Sequence, residues 1–230
     1  MGYREDIMDG RTALGIELGS TRIKAVLVND RNEIIAQGDH SWENQLVDGI
    51  WTYSLKAIWG GLQDAYAQLA ANVNRQYGTD LTTLGAMGFS AMMHGYMAFN
   101  DKDELLVPFR TWRNTMTEEA SLKLTEAFGF HIPQRWSIAH LYQAILKGEE
   151  HVKDVAFFTT LAGYIHWQLT GEKVLGVGRG IRYVPHRQQY EAIDTKMIET
   201  FDAMVADKGF PWNSRRFSRE SKWPGSMQAC

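Results

Sequence analysis

Apolar and polar positions alternate over the first forty residues, and the spacing then changes to three and four. Thr12–Gly19 and Ile23–Val28 read as two strands, and Glu33–His40 as a third after an Asp30-Arg31-Asn32 turn. Trp51, Leu55, Ile58, Leu62, Ala65 and Leu69 recur at helical spacing and predict one long helix from Asp48 to about Tyr77. Leu84–Met92 predicts a buried apolar strand, and Tyr96–Phe99 a shorter one before an Asn100-Asp101-Lys102-Asp103 turn. Further helices are expected at about Thr117–Phe128, Ser137–Lys147, Thr160–Leu169 and Thr195–Ala206. There is no internal repeat and no low-complexity segment. Three strands, a long helix, another strand and then helices imply an α/β layer fold with a mixed sheet flanked by helices.

Composition narrows the class without naming it. A chain of 230 residues is long enough to bury a proper core. A formal charge of −3 gives no electrostatic reason to expect nucleic acid or a membrane surface as partner. The one cysteine, Cys230, excludes a disulfide framework and fits a reducing compartment. No apolar run approaches membrane-spanning length, and the polar extension Met1–Arg11 is unlike a signal peptide, so a cytoplasmic protein is expected.

Three segments carry candidate chemistry. The first is Gly15-Ile16-Glu17-Leu18-Gly19-Ser20-Thr21-Arg22-Ile23-Lys24-Ala25, strand, tight turn, strand. Gly19, Ser20 and Thr21 add hydroxyls with little bulk, so a phosphate can approach the backbone closely. Glu17 beside the turn can hold a phosphate-bound Mg²⁺, and Lys24 supplies a positive charge. An ordinary hairpin turn has the same composition. The second segment, Gly88-Phe89-Ser90-Ala91-Met92-Met93-His94-Gly95, ends a strand, where α/β sheets commonly place ligands. His94 can donate to or accept from a substrate hydroxyl, or be a core histidine with the methionines as packing. The third, Phe109-Arg110-Thr111-Trp112-Arg113-Asn114-Thr115, offers a flat apolar face, forked donors and an amide, which suits a polyhydroxylated ligand. It also fits a helix entry with solvated arginines.

In this order the segments resemble the FGGY family of carbohydrate kinases, in its xylulokinase-like branch. The family opens with a Gly-Ile-Asp-x-Gly-Thr-Thr/Ser-x-x-Lys/Arg-Ala hairpin, resembled by Gly15–Ala25, and continues to Gly-x-Ser-x-Gln-Met-His-Gly, resembled by Gly88–Gly95. Trp112–Asn114 partly matches a Trp-x-Asp/Asn-x-Arg-like element, and Trp167–Glu172 is similar to Tyr-x-x-Leu-Thr-Gly-Glu. The resemblance spans about Ala13 to Trp212 and implies an actin-like, ribonuclease-H-like ATPase domain, the first of two and incomplete. It also implies transfer of the γ-phosphoryl group of MgATP to a hydroxyl of a small-molecule sugar or polyol. Carried over, Gly19, Ser20, Thr21 and Lys24 face the phosphates, Glu17 the metal, and Met93, His94, Gly95, Trp112, Arg113 and Asn114 line the sugar pocket.

Departures accompany the match. Glu17 replaces the usual Asp, Met92 stands where Gln is usual, and Asn114 replaces a frequent Asp. Family members run to roughly twice this length, with two domains. Their catalytic Asp lies in a Gly-x-x-Asp segment that no residue of this chain matches, so no catalytic residue is assigned. The expected organisation is a polar extension over 1–11, a sugar-binding domain over 12–212 and a disordered tail over 213–230. Permitted back-translations of 179–187 and 213–230 in other frames give family-like strings, a frameshift hypothesis that the coding DNA decides. The chain is therefore expected to be an inactive piece of a sugar kinase, or alternatively a non-catalytic sugar-binding or regulatory module. Some of its eight tryptophans and ten methionines should lie on an uncovered domain interface and favour self-association.

Overall fold

The computed structural model of the protein describes residues 2–176, 186–187, 192–193, 195–217 and 221–222. Its contacts divide the chain into two compact units, Met1–Gln45 with Tyr53–Met92, and Leu46–Thr52 with Met93–Cys230.

The first unit is a sheet with one helix laid on it. After α1 (Tyr3–Met8) come β1 (Thr12–Leu18), β2 (Arg22–Asn29) and β3 (Ile34–Ser41), the three strands expected from alternation. Leu14, Ile16 and Leu18 of β1 and Ile23, Ala25 and Leu27 of β2 point to the buried face, as a period of two requires. The next long element departs from expectation. Asp48 and Gly49 both take positive φ, 50° and 79°, and close a hairpin between β4 (Gln45–Val47) and β5 (Ile50–Thr52). The helix α2 therefore starts only at Leu55 and runs to Tyr77, with Ser54 as cap, its side chain accepting from the Ala57 N–H at 3.1 Å. Trp51 matched the helical period but lies in a strand.

Ile58, Leu62, Ala65, Leu69 and Val73 form the buried stripe of α2. The helix comes against β3 at Gly38, where a Cβ would stand 2.5 Å from the Leu69 nitrogen and closer still to the Ala65 carbonyl oxygen. The sheet closes with β6 (Ala86–Ala91), giving the order β3-β2-β1-β6, with β1 antiparallel to β2 and parallel to β6. The mixed sheet was expected; the burial of its last strand was not met. Ala86, Met87, Gly88 and Ser90 are all exposed and Phe89 and Ala91 only half-buried, on a strand at the sheet's edge.

The second unit is built around helices. A two-stranded pair, β7 (Met97–Phe99) with β8 (Phe157–Thr159), runs beside α3 (Glu118–Phe128), α4 (Ser137–Leu146), α5 (Leu161–Thr170) and α6 (Thr195–Val205). Every residue of α4 from Ser137 to Ile145 is buried, so it serves as the core helix, packed with Leu124, Ile132, Phe158 and Phe201. Of the stretch 213–230, Ser214–Phe217 forms a short 3-10 turn, and the Phe217 ring lies 4.9 Å from Trp212 and 5.0 Å from Phe158. Phe217 belongs to this core. Of residues 179–187 only His186–Arg187 is described, paired with Ala192–Ile193; the rest, and 223–230, lie outside the described residues. Among the described residues no helix is long and apolar enough to cross a membrane.

Candidate functional site

Antiparallel pairing puts Glu17 opposite Lys24, and parallel pairing puts Glu17 opposite Ser90. Carboxylate, ammonium and hydroxyl thus share the sheet face that α2 does not cover. With Gly15, Val26 and Gly88 they line a depression of about 420 Å³. Neither Glu17 nor Lys24 enters a salt bridge among the described residues, and both side chains are exposed.

The turn beside that depression is held from behind. The Gly19 N–H donates to the Arg22 carbonyl at 3.0 Å, closing the turn. The Trp42 indole N–H donates to the Gly19 carbonyl at 2.8 Å, the Trp42 backbone N–H to the Thr21 carbonyl at 3.1 Å, and the Tyr53 hydroxyl to the Ser20 carbonyl at 2.5 Å. The two rings stack at 4.2 Å. Three successive carbonyls are therefore drawn inward by buried aromatics, while the Ser20 and Thr21 side chains stay exposed. A turn whose oxygens face the protein presents a less negative rim to an incoming anion. Trp42 and Tyr53 were not singled out in the sequence. Only their distance from the turn, more than twenty residues, hides the connection.

The remaining candidates lie in the second unit. Gly95 takes φ +110°, and a Cβ there would stand 2.5 Å from the Arg110 carbonyl oxygen, so only glycine fits. This contact lets Tyr96 and Arg110 exchange backbone hydrogen bonds at 2.9 and 3.0 Å. The Gly95 N–H also donates to the Arg135 carbonyl at 3.1 Å, and the Ser137 hydroxyl donates to the Gly95 carbonyl at 2.6 Å. Met93–Gly95 and the segment around Trp112 are thereby registered against each other. Met93 and Trp112 are exposed and His94 is half-buried. Trp112 and Asn114, with Glu118, His131, Gln134 and Arg135, line a cavity of about 490 Å³. Arg113 is exposed and lies 4.1 Å over the Trp51 ring. Asn114 is 3% exposed. Its amide bonds to the backbone of Trp51 and Thr111.

Beneath this region is a buried polar cluster that the sequence did not announce. Arg110, 3% exposed, pairs with Glu149, which also lies 3.4 Å from His151 Nδ1. The Tyr96 hydroxyl meets His151 Nε2 at 3.1 Å, and His140 stacks on the Tyr96 ring. Burial, with the Arg110 charge adding to it, pushes the His140 imidazole down to about 3. Burial also brings His151 down to about 4, against the opposing pull of Glu149. The same burial raises the Tyr96 phenol. Both histidines are thus neutral at physiological pH.

Residues 12–179 match the FGGY family of carbohydrate kinases, N-terminal domain. The xylulose kinase of Bacillus subtilis (strain 168) is 24% identical over 169 residues, which cover 69% of this chain and 33% of that protein. Among solved structures, a ligand-bound xylulose kinase from Lactobacillus acidophilus superposes with a TM-score of 0.71 at 18% identity, covering 92% of this chain and 41% of its own. A gluconate kinase from Lactobacillus acidophilus gives 0.70 at 16%, with 93% and 41% covered. The structural likeness is that of the fold. The chain spans about a third of the length of its curated relative.

Proposed function

We propose, from the premise that this chain belongs to the FGGY family of carbohydrate kinases, that it binds the sugar or polyol acceptor and carries the first phosphate-binding element of an ATP-dependent kinase. The observation that carries this reading is the register that sets Glu17 between Lys24 and Ser90 on an open sheet face, next to the Gly19–Thr21 turn. That face suits a phosphate chain with its metal. No group of three or more metal-ligating side chains exists among the described residues. Mg²⁺ needs no such cage, since it keeps several waters and takes one or two carboxylates plus phosphate oxygens. Glu17 would be the carboxylate; Lys24, Ser20 and Thr21 would meet phosphate oxygens. MgATP supplies the phosphoryl group when bound. What these residues contribute is charge neutralisation and alignment, the main components of catalysis in phosphoryl transfer.

The acceptor reading rests on the second unit. Trp112 offers an apolar face for the C–H side of a sugar, and the Glu118, His131, Gln134 and Arg135 lining supplies donors and acceptors for hydroxyls, with His94 and Arg113, outside that lining, as further candidates. These side chains bind; transfer to the acceptor draws on further residues, in keeping with relatives more than twice as long. A calorimetric titration with pentuloses, glycerol and gluconate tests the reading. Saturable binding of at least one is expected, and no binding of any would overturn it. Turnover of MgATP by the 230-residue chain alone would contradict the division of labour.

A further inference from the structure

Asn114 sits among residues that line a candidate acceptor cavity, yet its amide is committed to the protein. Its Oδ1 accepts from the Trp51 N–H at 2.9 Å, while Nδ2 donates to the Trp51 carbonyl at 2.9 Å and to the Thr111 carbonyl at 2.9 Å. The Thr111 N–H adds a bond to the same Trp51 carbonyl at 3.1 Å. A side chain that meets the N–H and C=O of one residue together acts as an extra strand rung. It must carry a donor and an acceptor in one plane, which Asn does. An aspartate could accept from the N–H, but its second oxygen would face two carbonyl oxygens with no proton between them. Asn in place of a frequent Asp is therefore a change of chemistry at this position.

The rung holds Trp51, and Trp51 holds Arg113. The guanidinium lies 4.1 Å over the indole, exposed, and among the described residues no carboxylate pairs with it. A stacked guanidinium keeps its N–H groups free along its rim, in a fixed orientation and at reduced entropic cost.

We propose that Asn114 is a positioning residue rather than a ligand: its amide fixes the Trp51 backbone and, through it, the ring on which the Arg113 guanidinium is stacked.

The test labels the full chain with 5-fluorotryptophan and assigns the Trp51 ¹⁹F signal through Trp51→Phe. At neutral pH both Asn114→Asp and Asn114→Ala should displace or broaden that signal, while Trp167 keeps its own. As pH falls, the Asp carboxyl, which burial and the two facing carbonyl oxygens hold above the ordinary carboxylate range, takes up a proton and can donate again, so the signal should return toward the wild-type position while the fold is intact; the Ala variant should not recover. Arg113, Glu118, His131 and Arg135 also face this region, so wild type is followed over the same range. A Trp51 signal indifferent to both substitutions, or an Asp variant that stays folded without recovering, overturns the positioning role. Should either Asn114 variant fail to fold, Arg113→Gln decides: it should shift the Trp51 signal alone, and an unmoved signal overturns the stacked platform.

Discussion

The two units place exposed, reactive side chains by different means. In the first, the chemistry lies on a regular sheet: register alone sets Glu17 against Lys24 and Ser90, and only the turn needs help from Trp42 and Tyr53. In the second, the candidate segments are irregular, and buried polar groups hold them: Arg110 with Glu149, Tyr96 with His151, Asn114 with Trp51. Sheet hydrogen bonds are insensitive to pH and distributed along the strands. Buried polar clusters are concentrated, and their failure is costly. Between neutral pH and about 4.5 the first unit should therefore keep stability that the second loses.

Acid should give the largest contrast. His140 and His151 have native values of about 3 and about 4, below the ordinary value near 6.5, so the unfolded chain takes up protons first as pH falls. Stability contributed by the neutral rings is complete above about 6.5 and is lost between there and about 4, at up to about 1.4 kcal/mol per pH unit per group. Hydrogen exchange followed from neutral pH to about 4.5 should show α4 and β7 losing protection before β1 and β2. Simultaneous loss in both units would erase the distinction.

Truncation within the cluster comes next. Glu149→Ala leaves the Arg110 charge buried without its partner and should cost about 3 kcal/mol or more, with loss of protection confined to the second unit. Its counterpart is Gly38→Ala, which forces a Cβ against backbone of α2 and should cost about 1–3 kcal/mol in the first unit. Urea unfolding monitored by exchange separates the two. A smaller effect is expected from Tyr53→Phe, which removes the hydroxyl that holds the Ser20 carbonyl: about 1 kcal/mol, with faster exchange restricted to the Gly19–Thr21 turn. A variant with unaltered exchange there would show the turn to be held by its own geometry.

What could be read from the sequence follows the same division. Strand alternation in β1 to β3 and the helical stripe of α2 are local patterns, and both were legible. The start of α2 was not, because Trp51 happens to fall on the helical period while Asp48 and Gly49 form a hairpin turn. The apolar run of β6 suggested burial; apolar content reports a capacity for burial, and an edge strand leaves it unused. The hairpin Gly15–Ala25 was recognisable because its chemistry is contiguous. Asn114 gave no sign of its partner Trp51, which lies 63 residues earlier in the chain. Arg110 stood among the arginines that could be solvated, but it is buried against Glu149, 39 residues later, and nothing local to either residue marks the pair. His140 lies in a helix whose polar residues are buried along with its apolar ones, with no neighbour in sequence to mark it.

The central claim is that phosphate and acceptor are read by different units. One two-by-two titration tests it: wild type, Lys24→Ala and Trp112→Ala, each with Mg²⁺-tripolyphosphate and with whichever of the pentuloses, glycerol or gluconate binds most tightly. Both side chains are exposed, so folding should be retained within about 0.5 kcal/mol. The account predicts that Lys24→Ala loses the polyphosphate and keeps the acceptor, and that Trp112→Ala does the reverse. Variants that weaken both ligands alike, or neither, would contradict it.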